Sequence, residues 1–267
     1  MRWLPMSELF SFSKKKKIGV ALGSGGAKGM AHLGILQAMW ENGIDADIYA
    51  GTSAGSIVGA MCARGYSPAD IVELLKRLQY GSTALATVLS GSLESALPLL
   101  DDALGGVDIG ELSKPFCAVA TDSADGSEVL LKEGNAARAV LASSSIPPMF
   151  KGIRIGERLL VDGAFSNAIP ADAARALGAD VVIGVALSPA LSYEEVEFVC
   201  SSGETRTIRQ KGFLQADLLL EPDLSAFRTT DILYASQIYD AGYDCAMSHM
   251  QQILHLCSRT AAQRNRG

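Results

Sequence analysis

The sequence predicts an α/β protein of three layers, a mostly parallel central sheet held between helices. Three observations carry that expectation. Short continuous apolar runs such as Ile18-Gly19-Val20-Ala21-Leu22 have the composition of strands buried on both faces. Stretches with apolar residues at helical spacing follow them, as in 30–40, where Ala31, Leu33, Ile35, Leu36 and Met39 recur. Tight glycine-rich turns join the two kinds of segment, and alternating strands and helices of this sort build a mostly parallel sheet.

The elements follow in order. After the strand 18–22 and the helix 30–40, a strand over 47–50 enters the turn Gly51-Thr52-Ser53-Ala54-Gly55, and 57–63 continues as an apolar helix. Ser67-Pro68-Ala69-Asp70 reads as an N-cap, a first-position proline and a first-turn carboxylate, opening a helix to Gln79. Residues 81–106 mix Ser, Gly and Leu, and read either as helical fragments covering a site or as packing against the sheet. Strands at 116–120 and 128–131 join across Asp125-Gly126, a hairpin signal, and 136–142 is helical. Pro170 opens a helix to Leu177, 181–187 is a β-branched strand, 188–212 is a polar surface excursion, 215–220 is a strand and 230–256 a long helical tail.

With 267 residues, 48% of them hydrophobic, the chain can bury one large core, so a single domain is expected over 18–267 behind an N-terminal extension, 1–17. A net charge of −6 argues against a nucleic-acid partner, which requires clustered Lys and Arg. Five widely spaced cysteines without a CxxC pair suggest neither a disulfide framework nor a zinc site, and fit a reduced, cytoplasmic setting. No apolar run approaches the roughly 20 residues of a membrane-spanning helix, so membrane contact is expected to be peripheral, at the inner face. The basic run Lys14 to Lys17 reads as a solvated segment or as an attraction to anionic lipid.

Two glycine-rich turns carry the chemistry. Gly51-Thr52-Ser53-Ala54-Gly55 fits GxSxG, in which a serine on a sharp strand-to-helix turn needs glycines two residues to either side for room. Ser53 is therefore the candidate nucleophile. In Gly23-Ser24-Gly25-Gly26-Ala27-Lys28-Gly29, consecutive N–H groups can converge on an anion. A nucleotide phosphate is disfavoured because GxGxxG would need glycine at Lys28, which leaves an acyl oxyanion as the better reading. Lys28 itself reads as a solvated lysine, a loop brace or a contact for a substrate phosphate. For the base, the chain offers three histidines and a carboxylate. His249 and His255 satisfy the Ser, Asp, His order of a triad but lie in the helical tail, and His32 sits one turn into the helix after the glycine loop. Asp162, before Gly163-Ala164 at a strand end, would act as a base if burial beside Ser53 raised its pKa. Both a Ser-Asp dyad and a Ser-Asp-His triad remain open on these residues alone.

Taken in order, the 23–29 loop, the 51–55 turn and Asp162-Gly163-Ala164 resemble the three signature blocks of the patatin-like phospholipases, bacterial type with a single patatin domain. Residues 142–150, Ala-Ser-Ser-Ser-Ile-Pro-Pro-Met-Phe, resemble a fourth block, and Asn167-Ala168-Ile169-Pro170 the asparagine and proline that follow. The resemblance implies a serine acyl-ester hydrolase of phospholipase, lysophospholipase or esterase type, acting on lipid or acyl-ester substrates without metal or diffusible cofactor. It further implies Ser53 as nucleophile, Asp162 as proton acceptor, and Gly25 and Gly26 as chief oxyanion-hole donors within the Gly23–Gly29 loop. Two other outcomes stay in view, a triad enzyme and a regulatory module that keeps the fold without turnover.

Overall fold

A computed structural model describes residues 16–79 and 91–258 of the chain. Among these residues the apolar runs assemble into one eight-stranded sheet, and each strand is placed by the burial its sequence demands. β1 (Ile18–Leu22), β2 (Ile48–Thr52) and β7 (Val181–Val185) are buried throughout, as strands covered on both faces must be. The order is β10-β7-β1-β2-β3-β6-β5, with β3 at Phe116–Asp122, β5 at Ile153–Ile155, β6 at Arg158–Asp162 and β10 at Leu218–Leu220. The first five in that order run parallel. β4 (Glu128–Leu131) and β6 pair antiparallel with β3, and β5 antiparallel with β6.

The registers place β6 where it matters. Ala118 and Val119 of β3 pair with β2 on one side and β4 on the other, while Ala120 and Thr121 pair with both β4 and β6. Since a strand has two edges, β2 and β6 share one edge of β3 and follow each other along it. β2 ends with Thr52 opposite Val119, and β6 ends with Asp162 opposite the next residue, Ala120. The last residue of one strand thus meets the first residue beyond the other.

The helices α1 (Met30–Glu41), α2 (Ala54–Arg64), α3 (Pro68–Gln79), α4 (Leu97–Leu104) and α5 (Ala136–Ser143) join one continuous core with Val20, Leu22, Phe116 and Ile183. The opposite face is covered by α6 (Ala171–Ala176), seated on a floor of Ala21, Ala50 and Val182. The three layers are therefore unequal, one built from long helices and one from a helix of under two turns whose alanines allow close approach. Close approach also fixes α7 (Ala235–Ser248) on α1: a Cβ on Gly34 would collide with the Tyr239 carbonyl, and one on Gly242 with the Ala31 carbonyl.

Three segments differ from their sequence-based expectation. The 188–212 excursion holds a hairpin of β8 (Glu195–Val199) and β9 (Thr205–Arg209), whose Phe198 and Ile208 pack with Val161 and Phe165 beneath a charged outer face. The 230–256 tail is two helices, because α7 ends at His249, whose Nδ1 bonds the Cys245 carbonyl, before α8 (Met250–Ser258). The basic run is not wholly a surface feature: Lys16 is buried, with Nζ donating to the Leu256 carbonyl near the C-terminus of α8 at 2.9 Å. Lys14 and Lys15 lie outside the described residues, as does much of the stretch expected to cover a site. Its described remainder forms a short turn (Leu93–Ala96) and α4, whose Leu100 and Leu104 are buried in the main core.

Candidate active site

The strand-to-helix turn between β2 and α2 is as tight as its glycines predict. A Cβ on Gly51 would strike the Gly55 carbonyl, and a Cβ on Gly55 would strike the Leu22 carbonyl. Ser53 between them has φ +54 and is the one non-glycine residue in the left-handed region among the described residues. Such backbone costs of order 1–3 kcal/mol and persists where its surroundings impose it. Here it turns the side chain away from both strand and helix. Ser53 Oγ donates to Asp162 Oδ2 at 2.7 Å, and its amide donates to Ser143 Oγ at 2.9 Å. Gly55→Ala is expected to cost at least about 2 kcal/mol, because backbone of β1 must move to admit one methyl group. A thermal or denaturant melt measures this.

Asp162 arrives from the other side, at the end of β6. Its amide donates to the Ser145 carbonyl, its carbonyl accepts from Thr121 Oγ1, and its Oδ1 accepts from the Ala164 amide at 2.9 Å. The side chain is 1% exposed, and burial raises its pKa to about 6, against the opposing pull of the hydrogen bonds from Ser53 and the Ala164 amide. A carboxyl with that pKa, bonded to a hydroxyl, is poised to accept a proton near neutral pH.

The turn that follows is held by Thr52 and Asn167 from within the motif blocks and by Gln210 from outside them. Thr52 Oγ1, beside the serine, donates to the Asn167 carbonyl at 2.7 Å, and Asn167 Nδ2 donates to Glu128 and Asp172. Gln210, just past β9, is buried and bridges the turn: its Oε1 accepts from the Ala168 amide and its Nε2 donates to the Ala164 carbonyl, both at 2.7 Å. The Ala164 amide is the one that fixes Asp162. No local pattern marks a glutamine that acts 46 residues away. Gln210→Ala, which leaves a buried amide and a part-buried carbonyl unpaired, is expected to destabilise by about 2–3 kcal/mol and to lower kcat more than it raises KM, checked by denaturant melts and steady-state kinetics.

The glycine loop lies against this pair. Gly29 is so close to the elbow that a Cβ there would sit 2.8 Å from Ala54 Cβ. The amides of Gly23, Ser24 and Ala27 donate to the carbonyls of Val185, Ala168 and Thr229, whereas those of Gly25 and Gly26 find no acceptor among the described residues. His32 is buried beneath the loop and its Nε2 donates to the Gly23 carbonyl at 2.8 Å. Burial pushes its pKa down to about 4, so the ring is neutral, and Nδ1 has no partner among the described residues. It braces the loop and does not reach Ser53. His249 caps α7, His255 lies on α8, and neither is a hydrogen-bond partner of the serine. Lys28 is half-buried at the base of α1.

A cavity of ≈ 400 Å³ opens beside the elbow, lined by Gly26, Ala27, Met30, Ala54, Ile57 and Ile232 among others. It shares the lining residues Met30, Leu75 and Ala235 with a second cavity of ≈ 430 Å³ between α3 and α7, which reaches Glu73 and Asp240. Among the described residues no group of three or more His, Cys, Asp or Glu side chains is placed to hold a metal ion.

Fold and site together define an α/β protein organised around a serine on a nucleophile elbow, hydrogen-bonded to a buried aspartate. Residues 20–175 match the family model of the patatin-like phospholipases, and the chain belongs to that family. An uncharacterized NTE family protein of Mycobacterium tuberculosis is 34% identical over 183 residues, covering 66% of this chain and 50% of its own. Human patatin-like phospholipase domain-containing protein 6 is 26% identical over 277 residues, covering 85% of this chain and 20% of its own. The chain thus spans half or less of the length of these relatives. Among solved structures, VipD from Legionella pneumophila aligns with a TM-score of 0.56 and 14% identity over 89% of this chain and 67% of its own. The type III effector protein ExoU aligns at 0.50 and 16%, over 89% and 53%. Both likenesses show the fold.

Proposed function

We propose that the chain hydrolyses acyl esters of lipids with Ser53 as nucleophile and Asp162 as its base. The observation that carries this reading is the 2.7 Å hydrogen bond from Ser53 Oγ to a carboxylate whose pKa is raised to about 6. As Oγ attacks the ester carbonyl carbon, its proton passes to Asp162, and the carbonyl π electrons move onto oxygen. The amides of Gly25 and Gly26, which have no acceptor among the described residues, receive that oxyanion, and the N-terminus of α2 adds its positive end. Collapse breaks the carbon–oxygen bond to the alcohol, which takes the proton from Asp162 and leaves an acyl-serine. Water, losing a proton to Asp162, then attacks the acyl carbon; the fatty acid departs and Ser53 recovers its proton. The apolar cavity beside Ala54 suits the acyl chain.

The test is covalent labelling. A fluorophosphonate probe is expected to label the wild-type protein on the peptide bearing Ser53, with no label on Ser53→Ala. Labelling elsewhere would remove Ser53 from the role. His249→Ala and His255→Ala are expected to retain hydrolysis of a p-nitrophenyl ester, and loss in either would replace the dyad with a triad.

A further inference from the structure

We propose that the turn Ile232–Tyr234 docks the protein on a zwitterionic lipid surface and sets the mouth of the cavity against it. The proposal deepens the lipid-ester reading by naming the surface through which substrate enters. Ile232, Leu233 and Tyr234 are 59%, 91% and 49% exposed, three consecutive large apolar side chains left in solvent. They do not belong to a slack loop. The Ala27 amide donates to the Thr229 carbonyl, the Arg228 amide to Asp231 Oδ2 at 2.8 Å, and the Tyr234 ring lies 5.8 Å from that of Phe227. The turn then runs straight into α7, which is locked on α1. Leu233 above all, held outward on a rigid support, gains little from the fold, and an apolar surface supplies what it lacks.

Position identifies the surface. Ile232 lines the cavity with Gly26 and Ala54, so the exposed turn is one lip of the opening beside Ser53. Ile146 and Met149 are also exposed, in the segment directly after Ser143 and Ser145, which hold the backbone of Ser53 and Asp162. A lipid aggregate touching this lip would deliver an acyl chain into the cavity without passing it through water. Three side chains fall far short of the roughly 800 Å² per partner of a stable protein interface, which disfavours a second copy. A net charge of −6 disfavours attraction to an anionic surface, so insertion of apolar and aromatic side chains at a neutral interface is the mode that fits.

The experiment separates docking from turnover by reading binding on the full chain carrying Ser53→Ala. Phosphatidylcholine vesicles are expected to co-sediment with it, undiminished by salt, and the further change Leu233→Ser is expected to weaken binding about tenfold. With Ser53 restored, Leu233→Ser should slow hydrolysis of vesicular long-chain lipid and leave a soluble short-chain ester unaffected. In Leu233→Trp, emission should move to shorter wavelength when vesicles are added. Equal sedimentation of Leu233→Ser and its parent, or an unmoved emission, overturns the proposal. So does a lipid-free dimer that Leu233→Ser dissociates, which would make the turn a contact between copies. Vesicle binding without any esterase activity would leave docking in place and remove the hydrolase reading.

Discussion

Ser53→Ala and Ser53→Gly are both expected to lower acyl-ester turnover by about 10⁶-fold, the scale on which removal of a serine nucleophile acts, yet the two variants should differ in stability. Each loses the hydrogen bond to Asp162, so that loss cancels between them. What differs is the backbone. At φ +54 alanine carries the strain that serine carries, and glycine does not. Relief of strain is partly offset by the greater freedom of glycine in the unfolded chain, worth about 0.4–1 kcal/mol. Ser53→Gly should therefore be the more stable by about 1 kcal/mol, or about 2–4 °C in Tm. Calorimetry of the two inactive proteins checks it. Equal melting temperatures would mean that the elbow is unstrained and that its geometry follows from the flanking glycines alone.

Those glycines explain why so much of the site was legible in the sequence. Gly51 and Gly55 are required by carbonyls within the turn and on β1, contacts that any serine on such a turn would impose, so the pattern travels with the geometry. The parallel strands were legible for a similar reason, since burial on both faces leaves a continuous apolar run. Where the structure departs, the deciding contact lies far away in the chain. β8 and β9 do alternate, but their apolar positions are few and flanked by Glu and Arg, so the segment reads as polar until Val161 and Phe165 are set beneath it. Gly34 and Gly242 look like weak points in two helices and are the points at which the helices touch. Gln210 carries no motif, and its role exists only once the 162–168 turn is folded against it. The pairing of Ser53 with Asp162 has the same character, because it depends on β2 and β6 following each other along one edge of β3.

Asp162→Asn is expected to lower kcat by about 10³-fold, within the range of a lost general base, and to make the protein relatively more stable at alkaline pH. In the folded state the carboxyl titrates at about 6, above the 3.8 of an ordinary aspartate in the unfolded chain. The folded protein therefore binds this proton more tightly. The resulting stabilisation is complete below pH 3.8 and is lost as pH rises through about 6, where a charge must be kept in a buried site. The difference between 3.8 and about 6 corresponds to roughly 3 kcal/mol. Asparagine is uncharged throughout and can still accept from the Ala164 amide through Oδ1. The stability difference between variant and wild type should thus grow in favour of the variant by up to about 3 kcal/mol between pH 4 and pH 8, other carboxylates cancelling in the comparison. Activity should move the opposite way: wild-type kcat/KM rises with pH through an ionisation near 6, since only the carboxylate accepts the Ser53 proton. A histidine base would give a limb in the same region, so the limb alone does not assign it. The limb is assigned by the variants, because with Asp162 as base it shares its midpoint near 6 with the Asp162→Asn stability difference and persists unchanged in His249→Ala and His255→Ala. Gain of stability and loss of turnover in one substitution is what a carboxylate held for proton transfer, at a cost to the fold, requires.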